Sequence, residues 1–263
     1  MFSTLYFPLV SALATPGAVS HEDISKRFLR AVLDGKLNAA SMIAGRWSEE
    51  SGTGDDAAYV MQLQADYSTV QTGEVRRASI TVAKAFDILG ASKSGDSNVP
   101  GTTVTNPASI NFVRTGASFS QTNEWPLKIG TAISLTGQYS AVSLPTSEQI
   151  SFGAQRFAQG YEPGEASGDS GWGAMFEVNR AFTPGFTYLR TVTPYVSFDM
   201  ARVYLHAGTP SPSKLSSIAF GFRISDAKYY SLDLSVAKPI GDAPVESASR
   251  SPRINATYSY QLN

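Results

Sequence analysis

The sequence predicts an all-β protein, specifically an antiparallel transmembrane β-barrel, and three observations lead to this fold class. Apolar and polar residues alternate along many segments, so that each predicted strand has one apolar and one polar face. The clearest segments approach the roughly 9–11 residues that a tilted strand needs to cross a bilayer. The polar faces carry Ser, Thr, Gln and Gly, which favours an enclosed lumen over open solvent. A soluble all-β binding domain remains the alternative at this point.

The alternation is clearest in five segments. In 127–139 most odd positions are apolar, and the same pattern recurs in 57–67, 218–224, 230–236 and 254–262. Weaker candidate strands lie at 3–11, 38–48, 74–88, 109–120, 148–155, 172–182 and 186–204. Together they predict about twelve strands. Tryptophan and tyrosine residues cluster near their ends, as in the aromatic girdles of membrane barrels.

One segment departs from the period of two. Residues 20–35 begin with a capping signal, Ser20 with Asp23, and end at Gly35. Apolar residues between them have helical spacing, so we expect one short amphipathic helix near the N-terminus. We interpret residues 1–263 as a single barrel domain.

The composition excludes several kinds of site. A net charge of −1 gives no reason to expect nucleic acid as a partner. The chain has no cysteine and two histidines, so we expect no thiolate or histidine-rich metal site and no cofactor. No apolar run reaches the roughly 18 residues of a transmembrane helix.

The segment 147–177 is rich in glycine and also carries functional side chains. Glycine at this density indicates a backbone that bends sharply or packs closely. The segment also contains Arg156, Phe157, Tyr161 and Asp169, which are more charged and aromatic side chains than a linker needs. Long loops of this kind are usually functional or disordered, and we interpret this one as functional.

Within that segment, Gly168-Asp169-Ser170-Gly171 matches the tetrad around the nucleophile of trypsin-like serine proteases. Such an enzyme needs a histidine base near the serine. The only upstream histidine is His21, which lies in the predicted helix, and Trp172 replaces the next glycine of the pattern. Neither a G-x-S-x-G elbow nor HExxH is present. We therefore do not expect an enzyme.

Asp199 is a candidate functional residue on a predicted strand. In TPYVSFDMARVY the alternation places Asp199 on the lumenal face, together with Tyr195 and Ser197. A carboxylate enclosed in a lumen favours a cationic partner. Arg156 is the nearest candidate in the glycine-rich segment. The alternative is that Asp199 only faces lumenal water.

Several stretches resemble one protein family. EQISFGAQRFAQGYEPGEASGDSGWGAMFEV is similar to the loop-6 region of two-partner secretion transporters, the haemolysin activator/secretion proteins (TpsB). FDILGASKSGD, TPYVSFDMARVY and SLDLSVAKPI agree with the family in the same order. The resemblance covers roughly 86–240 and identifies the chain as the C-terminal barrel region of such a transporter.

The resemblance implies a sixteen-stranded barrel in the outer membrane of a Gram-negative bacterium, preceded by periplasmic POTRA domains. Such a barrel exports a large secreted partner, a TpsA-like haemolysin or adhesin, without nucleotide hydrolysis. It implies contact with outer-membrane lipid and with the barrel-assembly machinery that inserts the protein. A passive porin-like or structural barrel is the alternative function.

The resemblance also implies a site. In the family, loop 6 folds into the lumen and its arginine pairs with an aspartate of the barrel wall. By position, Gly160 and Tyr161 fill the Gly-aromatic part of the motif, and Asp199, on the fourth strand from the end, fills the wall aspartate. The arginine position is Gln159, whose side-chain amide offers only a neutral hydrogen bond, weaker than a charge-assisted one. The predicted plug spans 156–171, and its site residues, with the wall partner last, are Arg156, Phe157, Gln159, Gly160, Tyr161, Gly168, Asp169 and Asp199.

Overall fold

A computed structural model describes residues 39–51, 54–86, 94–96, 103–105, 108–109, 111–154, 157–186, 188–210, 212–226, 228–245 and 249–260, with side chains from Val60 onward except in 94–96 and 103–105. The strand predicted at 3–11 and the helix predicted at 20–35 lie outside these residues. Among the residues described, no helix has the length and apolar character needed to span a membrane.

Fourteen strands make up most of the described chain, with one-turn 3-10 helices at Pro126–Lys128 and Thr146–Glu148. The strands are β1 (Ala39–Ser51), β2 (Gly54–Gln71), β3 (Glu74–Phe86), β4 (Ser94–Asp96), β5 (Thr103–Thr105), β6 (Val113–Trp125), β7 (Ile129–Ser140), β8 (Ile150–Phe152), β9 (Ala166–Gly168), β10 (Ser170–Arg180), β11 (Thr191–Tyr204), β12 (Lys214–Ser225), β13 (Tyr230–Pro239) and β14 (Arg253–Tyr260).

Ten of these strands form one antiparallel sheet in the order β1-β2-β3-β6-β7-β10-β11-β12-β13-β14. Each strand pairs with the next long strand along the chain, as in an up-and-down barrel wall. The four short strands form two separate pairs, β4 with β5 and β8 with β9. In the described part of the chain, β1 and β14 are the edges of the large sheet.

The three longest connections lie at the same end of the sheet. One end, the loop end, carries the long connections 87–112, 141–169 and 240–252. The other end, the turn end, carries short connections such as 72–73 and 226–229. Outer-membrane barrels have this asymmetry, with short periplasmic turns and longer extracellular loops.

The sheet is apolar on its outside and polar on its inside. Phe176 and Phe198 are cross-strand partners on the outer face and are 46% and 39% exposed. Asp199 and Ser217, on the inner face, are fully buried. A soluble domain would bury the phenylalanines, whereas a bilayer covers them. The predicted all-β membrane-barrel fold class is thereby confirmed.

The strand assignments differ from the prediction in one described segment. Ten of the predicted segments coincide with the ten strands of the large sheet. The segment predicted at 148–155 forms only the short strand β8, which pairs with β9 inside the loop 141–169. It ends at Phe152 because Gly153 has a φ of 132°, which turns the chain out of the extended conformation.

The inner surface divides into two regions that differ in burial. We call the inner face of β10–β14 the loop-covered wall, because the loop 141–169 packs against it. We call the inner face of β2, β3, β6 and β7 the hydroxyl wall, after its residues Ser68, Ser79, Ser118, Ser120, Ser134 and Thr136. The main apolar cluster lies between the loop and the loop-covered wall and comprises Phe152, Phe157, Ala158, Tyr161, Ala166, Ala201, Val203 and Leu215.

Candidate functional site

The loop 141–169 folds inward as a hairpin. Strands β8 and β9 pair from Ile150 with Gly168 to Phe152 with Ala166. The described residues of the segment 153–165, namely 153–154 and 157–165, which we call the loop tip, extend from this hairpin over the loop-covered wall. The rings of Phe152 and Phe157 meet edge to face with centroids 5.9 Å apart. A side chain at Gly173 of β10 would place its Cβ 2.8 Å from the Phe152 ring, so glycine is required there.

The backbone of the loop tip is internally hydrogen-bonded. The N–H of Gly153 donates to Phe157 O (3.2 Å) and that of Tyr161 to Ala158 O (2.9 Å). Ala158 has a φ of 63°, in the left-handed region that few non-glycine residues occupy. Successive N–H groups around such a residue form a concave anion-binding arrangement.

The anion that this arrangement meets is the carboxylate of Asp199 on β11. Ala158 N–H donates to Oδ1 at 2.9 Å, and Gln159 N–H donates to Oδ2 at 3.2 Å. The hydroxyl of Ser217 on β12 donates to Oδ1 at 2.5 Å. Because Asp199 is fully buried, these donors replace the water that its charge would otherwise require.

The next loop residue, Gly160, fits only because it lacks a side chain. Its N–H donates to the hydroxyl of Ser217 at 3.1 Å. A Cβ at this position would lie 2.6 Å from Pro239 N and 2.9 Å from Lys238 C, closer than atoms can approach. From β14, the side-chain amide of Asn255 donates to Gln159 O at 3.1 Å. The wall therefore holds the main chain of the loop tip.

Tyr161 provides the side-chain anchor of the loop tip. Its ring is fully buried, and its hydroxyl donates to the main-chain O of Asp242 at 2.8 Å. Burial raises the pKa of Tyr161, so the hydroxyl keeps the proton that it donates. Near the tip, Glu162 forms an ion pair with Arg253 of β14.

The geometry changes the expected role of Gln159. The contact with Asp199 is made by the main-chain N–H of Gln159 and not by its side-chain amide. The side-chain Oε1 is buried and has no hydrogen-bond partner among the described residues. Arg156, the alternative cation, lies outside the described residues.

Asp169 lies at the base of the loop and not in its tip. Its carboxylate accepts hydrogen bonds of 2.7 Å from Leu144 N–H, where the loop begins, and from His206 N–H in the β11–β12 connection. A Cβ on Gly168 would lie 2.7 Å from Tyr204 O, so this glycine permits close packing on β11.

A second contact at the base of the loop, an ion pair, reaches the hydroxyl wall. Arg114 of β6 pairs with Glu148 at 2.5 Å. The loop base thus contacts both walls, whereas the hydrogen bonds that Ala158, Gln159 and Gly160 make to the wall all go to the loop-covered wall.

The protease-like tetrad has no catalytic arrangement. The Ser170 hydroxyl donates to Ser140 O at 3.2 Å and accepts from Ser140 N–H at 3.0 Å. The ring Nε2 of His206 also lies 2.8 Å from Ser140 O. Both side chains therefore contact the main chain of Ser140, the last residue of β7. His21 lies outside the described residues.

A charged network lies lower on the loop-covered wall. Arg223 donates two hydrogen bonds to Glu177, of 2.8 and 2.6 Å, and one of 3.0 Å to Asp233. Its guanidinium lies 4.2 Å from the ring centroid of Tyr195, whose hydroxyl donates to Asp233 at 2.8 Å. The network links β10, β11, β12 and β13 and neutralises the buried Glu177.

Sequence reasoning did not single out Ser217, Asn255 or this network. All of them lie on predicted polar strand faces, so the alternation was the available signal. Which residues of different strands meet depends on register, and alternation within one strand contains no information about register.

Open space remains on the other side of the loop tip. A cavity of about 280 Å³ lies between Phe157 and the hydroxyl wall. Hydroxyl side chains of β2, β3, β6 and β7 line it, and Ser79 and Ser118, which are cross-strand partners in its wall, share a hydrogen bond of 2.9 Å. The lumen is therefore filled on one side and open on the other.

Solved structures resemble this fold, and two of them are CdiB proteins. One is CdiB from Escherichia coli, with a TM-score of 0.61 and 15% identity, and the other is CdiB from Acinetobacter baumannii, with a TM-score of 0.55 and 14% identity. Each match covers 83% of this chain and 41% of the solved chain. At this identity the likeness concerns the fold alone.

The sequence itself also has matches. The heme/hemopexin transporter protein HuxB of Haemophilus influenzae is 28% identical over 114 residues, which is 41% of this chain and 20% of HuxB. The chain thus corresponds to well under half the length of these relatives. The family model of the haemolysin secretion/activation protein ShlB/FhaC/HecB matches residues 53–224, which is more than half of the chain. The chain therefore belongs to the ShlB/FhaC/HecB haemolysin secretion/activation family.

Proposed function

We propose that this chain forms the plugged barrel region of an outer-membrane transporter that translocates a large secreted polypeptide. The observation that carries the proposal is the loop tip on the inner wall, with Asp199 receiving two main-chain N–H groups. The exposed apolar outer face supports contact with outer-membrane lipid. Insertion by the barrel-assembly machinery follows from the same fold, and neither enzymatic chemistry nor nucleic-acid binding is part of the proposal.

The plug works by occupying lumen volume. With Phe157 and Tyr161 packed inward, the space beside the loop tip is far too small for a folded protein. Transport in this account requires release of the loop tip, and the substrate passes as an extended chain. The energy for release must come from binding, since the proposal includes no nucleotide hydrolysis.

Release is feasible because separate groups hold the tip and the base. The tip is held by main-chain groups, the Tyr161 hydroxyl and the carboxylates of Glu162 and Glu165, whereas the base is held by Asp169 and the Arg114–Glu148 pair. Breaking the tip contacts would leave the base in place. In the proposed cycle, the segment 153–165 moves and the β8–β9 hairpin remains attached.

Secretion tests the proposal directly. The transporter would be expressed together with a large secreted partner encoded beside it. The amount of partner released into the medium would be measured. We expect Asp199→Ala to change secretion and Ser134→Ala, on the hydroxyl wall, to leave it unchanged. Equal secretion by both variants and the parent would refute the plug.

A passive pore is the second candidate, and the open cavity beside the hydroxyl wall favours it. A passive pore conducts ions in a planar bilayer without any partner and exports no polypeptide. Steady conductance combined with unchanged partner secretion on deletion of the protein would establish this alternative.

A further inference from the structure

We infer that Asp199, Ser217 and Asn255 form a binding site for a tight polypeptide turn, and that a glycine-containing turn of the transported polypeptide displaces the loop tip by occupying it. This inference rests on the proposed transport function and identifies the ligand class of the same site.

The site binds the main chain of its ligand. Three wall side chains meet the loop tip at Ala158, Gln159 and Gly160, and every loop atom in those hydrogen bonds belongs to the backbone. Backbone groups are common to all polypeptides. The same side chains can therefore bind any chain segment that adopts the same turn.

Release of the loop tip removes hydrogen-bond donors from Asp199. When the tip leaves, Asp199 loses the two N–H donors at 2.9 and 3.2 Å and keeps the Ser217 hydroxyl. A carboxylate that a polypeptide segment covers is costly unless that segment supplies such donors. A replacement turn supplies both N–H groups at once, so the incoming polypeptide offsets the cost of releasing the plug.

The shape and charge of the wall restrict which turns fit. A Cβ at the third turn position would lie 2.6 Å from Pro239 N, so that position requires glycine. The carboxylate disfavours acidic residues beside it. The following position is occupied by Tyr161, whose hydroxyl reaches Asp242 O, so an aromatic residue with a hydroxyl group is favoured there. The ligand class is a turn of two non-acidic residues followed by glycine and tyrosine.

The test uses the full chain with Gly160→Ala, because the added methyl group expels the loop tip and vacates the site. A fluorescent peptide with the sequence of residues 157–163 is titrated, and its anisotropy gives the affinity. We expect saturable binding, at least about tenfold weaker binding of the peptide that carries the same Gly160→Ala change, and unchanged binding when the peptide carries Gln159→Ala. Adding Asp199→Ala to the protein should abolish binding.

A second measurement covers the case in which Gly160→Ala prevents folding. In the parent chain, excess parent peptide should remove hydrogen-exchange protection from the amides of 158–160, and the Gly160→Ala peptide should not. Equal behaviour of the two peptides, or no saturable binding and no loss of protection, overturns the inference. Secretion without peptide binding removes this inference and leaves the proposed function. Peptide binding without secretion removes the proposed function and leaves only a turn-binding site with no transported ligand.

Discussion

The loop-covered wall and the hydroxyl wall have similar sequence patterns and different physical states. Ser197, Ser217 and Ser235 on the first are buried, whereas Ser118 on the second is exposed. The two walls alternate in the same way and use the same small polar residues. The difference arises from the loop, which packs on one wall and leaves the other facing open space.

A lumenal carboxylate becomes a binding group when a polypeptide segment covers it. Asp66 also lies on an inner face, beside the cavity, and its side chain is paired with Gln64 on the same strand. Asp199 is covered by the loop tip and accepts donors from three residues of two other segments. Burial and convergence of donors, and not charge alone, distinguish the site.

The largest expected effect is on the loop-covered wall. Asp199→Ala removes the acceptor of two main-chain N–H groups and of the Ser217 hydroxyl, and each unpaired buried donor costs about 1–3 kcal/mol. We expect the loop tip to leave the wall and ion conductance in planar bilayers to rise. Ser134→Ala on the hydroxyl wall is the matched control and should leave conductance unchanged. The same conductance for both variants would remove the distinction between the walls.

The second effect is on stability. Arg223→Met removes the two hydrogen bonds that Arg223 donates to the carboxylate of Glu177, whose side chain is 4% exposed, and leaves it only the one from Asn179. Because Arg223 itself is partly exposed, we expect a loss of about 2 kcal/mol, less than for a fully buried pair. Heat-modifiable migration on SDS gels reports barrel unfolding.

The control for this prediction is Arg76→Met, in the pair with Glu74 on β3. Both side chains are more exposed there, 47% and 21%, so the loss should be under about 0.5 kcal/mol. If Arg76→Met destabilised the barrel as much as Arg223→Met, burial would not be the cause.

The third effect depends on pH. Asp242 accepts hydrogen bonds from the N–H groups of Lys214 (2.9 Å) and Ser213 (3.1 Å), which lower its pKa. A lowered folded-state pKa means that the stabilisation is complete above the unfolded value of about 3.9 and is lost as pH falls through the folded value. The difference in unfolding temperature between the parent and Asp242→Asn should be constant at higher pH and should shrink below about pH 3.9. A difference that persists in acid would show that ionised Asp242 is not responsible.

The smallest effect tests the main-chain character of the contact. Gln159→Met removes a buried Oε1 that has no hydrogen-bond partner in the described part of the chain and keeps the side-chain length. Stability and conductance should therefore change little, within about 0.5 kcal/mol for stability. A release of the loop tip as large as that in Asp199→Ala would mean that the Gln159 side chain holds it.

Much of the fold was predictable because alternation acts within one strand. The pattern around 193–204 was enough to place Asp199 inside, and the structure has it on the inner face with Tyr195 and Ser197. The same reasoning assigned the ten long strands of the sheet. It predicted too long a strand at 148–155, because Gly153 turns the chain there. A Cβ at position 153 would lie 1.8 Å from Glu162 O, so only glycine fits.

The binding groups of the site were less predictable. Ser217 and Asn255 meet the loop through register and through the path of the loop in space, neither of which is local in sequence. The left-handed conformation of Ala158, which aims two N–H groups at Asp199, has no sequence signal because alanine rarely adopts it. The family motif drew attention to side chains, whereas the contact is made by the backbone.

Hydrogen exchange of the amides of Ala158, Gln159 and Gly160 tests the central claim most directly. It would be measured on the protein in lipid nanodiscs, with strand β7 as the internal reference. The account predicts that these three amides are protected to a similar degree as strand amides and lose protection in Asp199→Ala, while β7 is unaffected. Rapid exchange of these amides in the parent protein, or protection that survives Asp199→Ala, would contradict it.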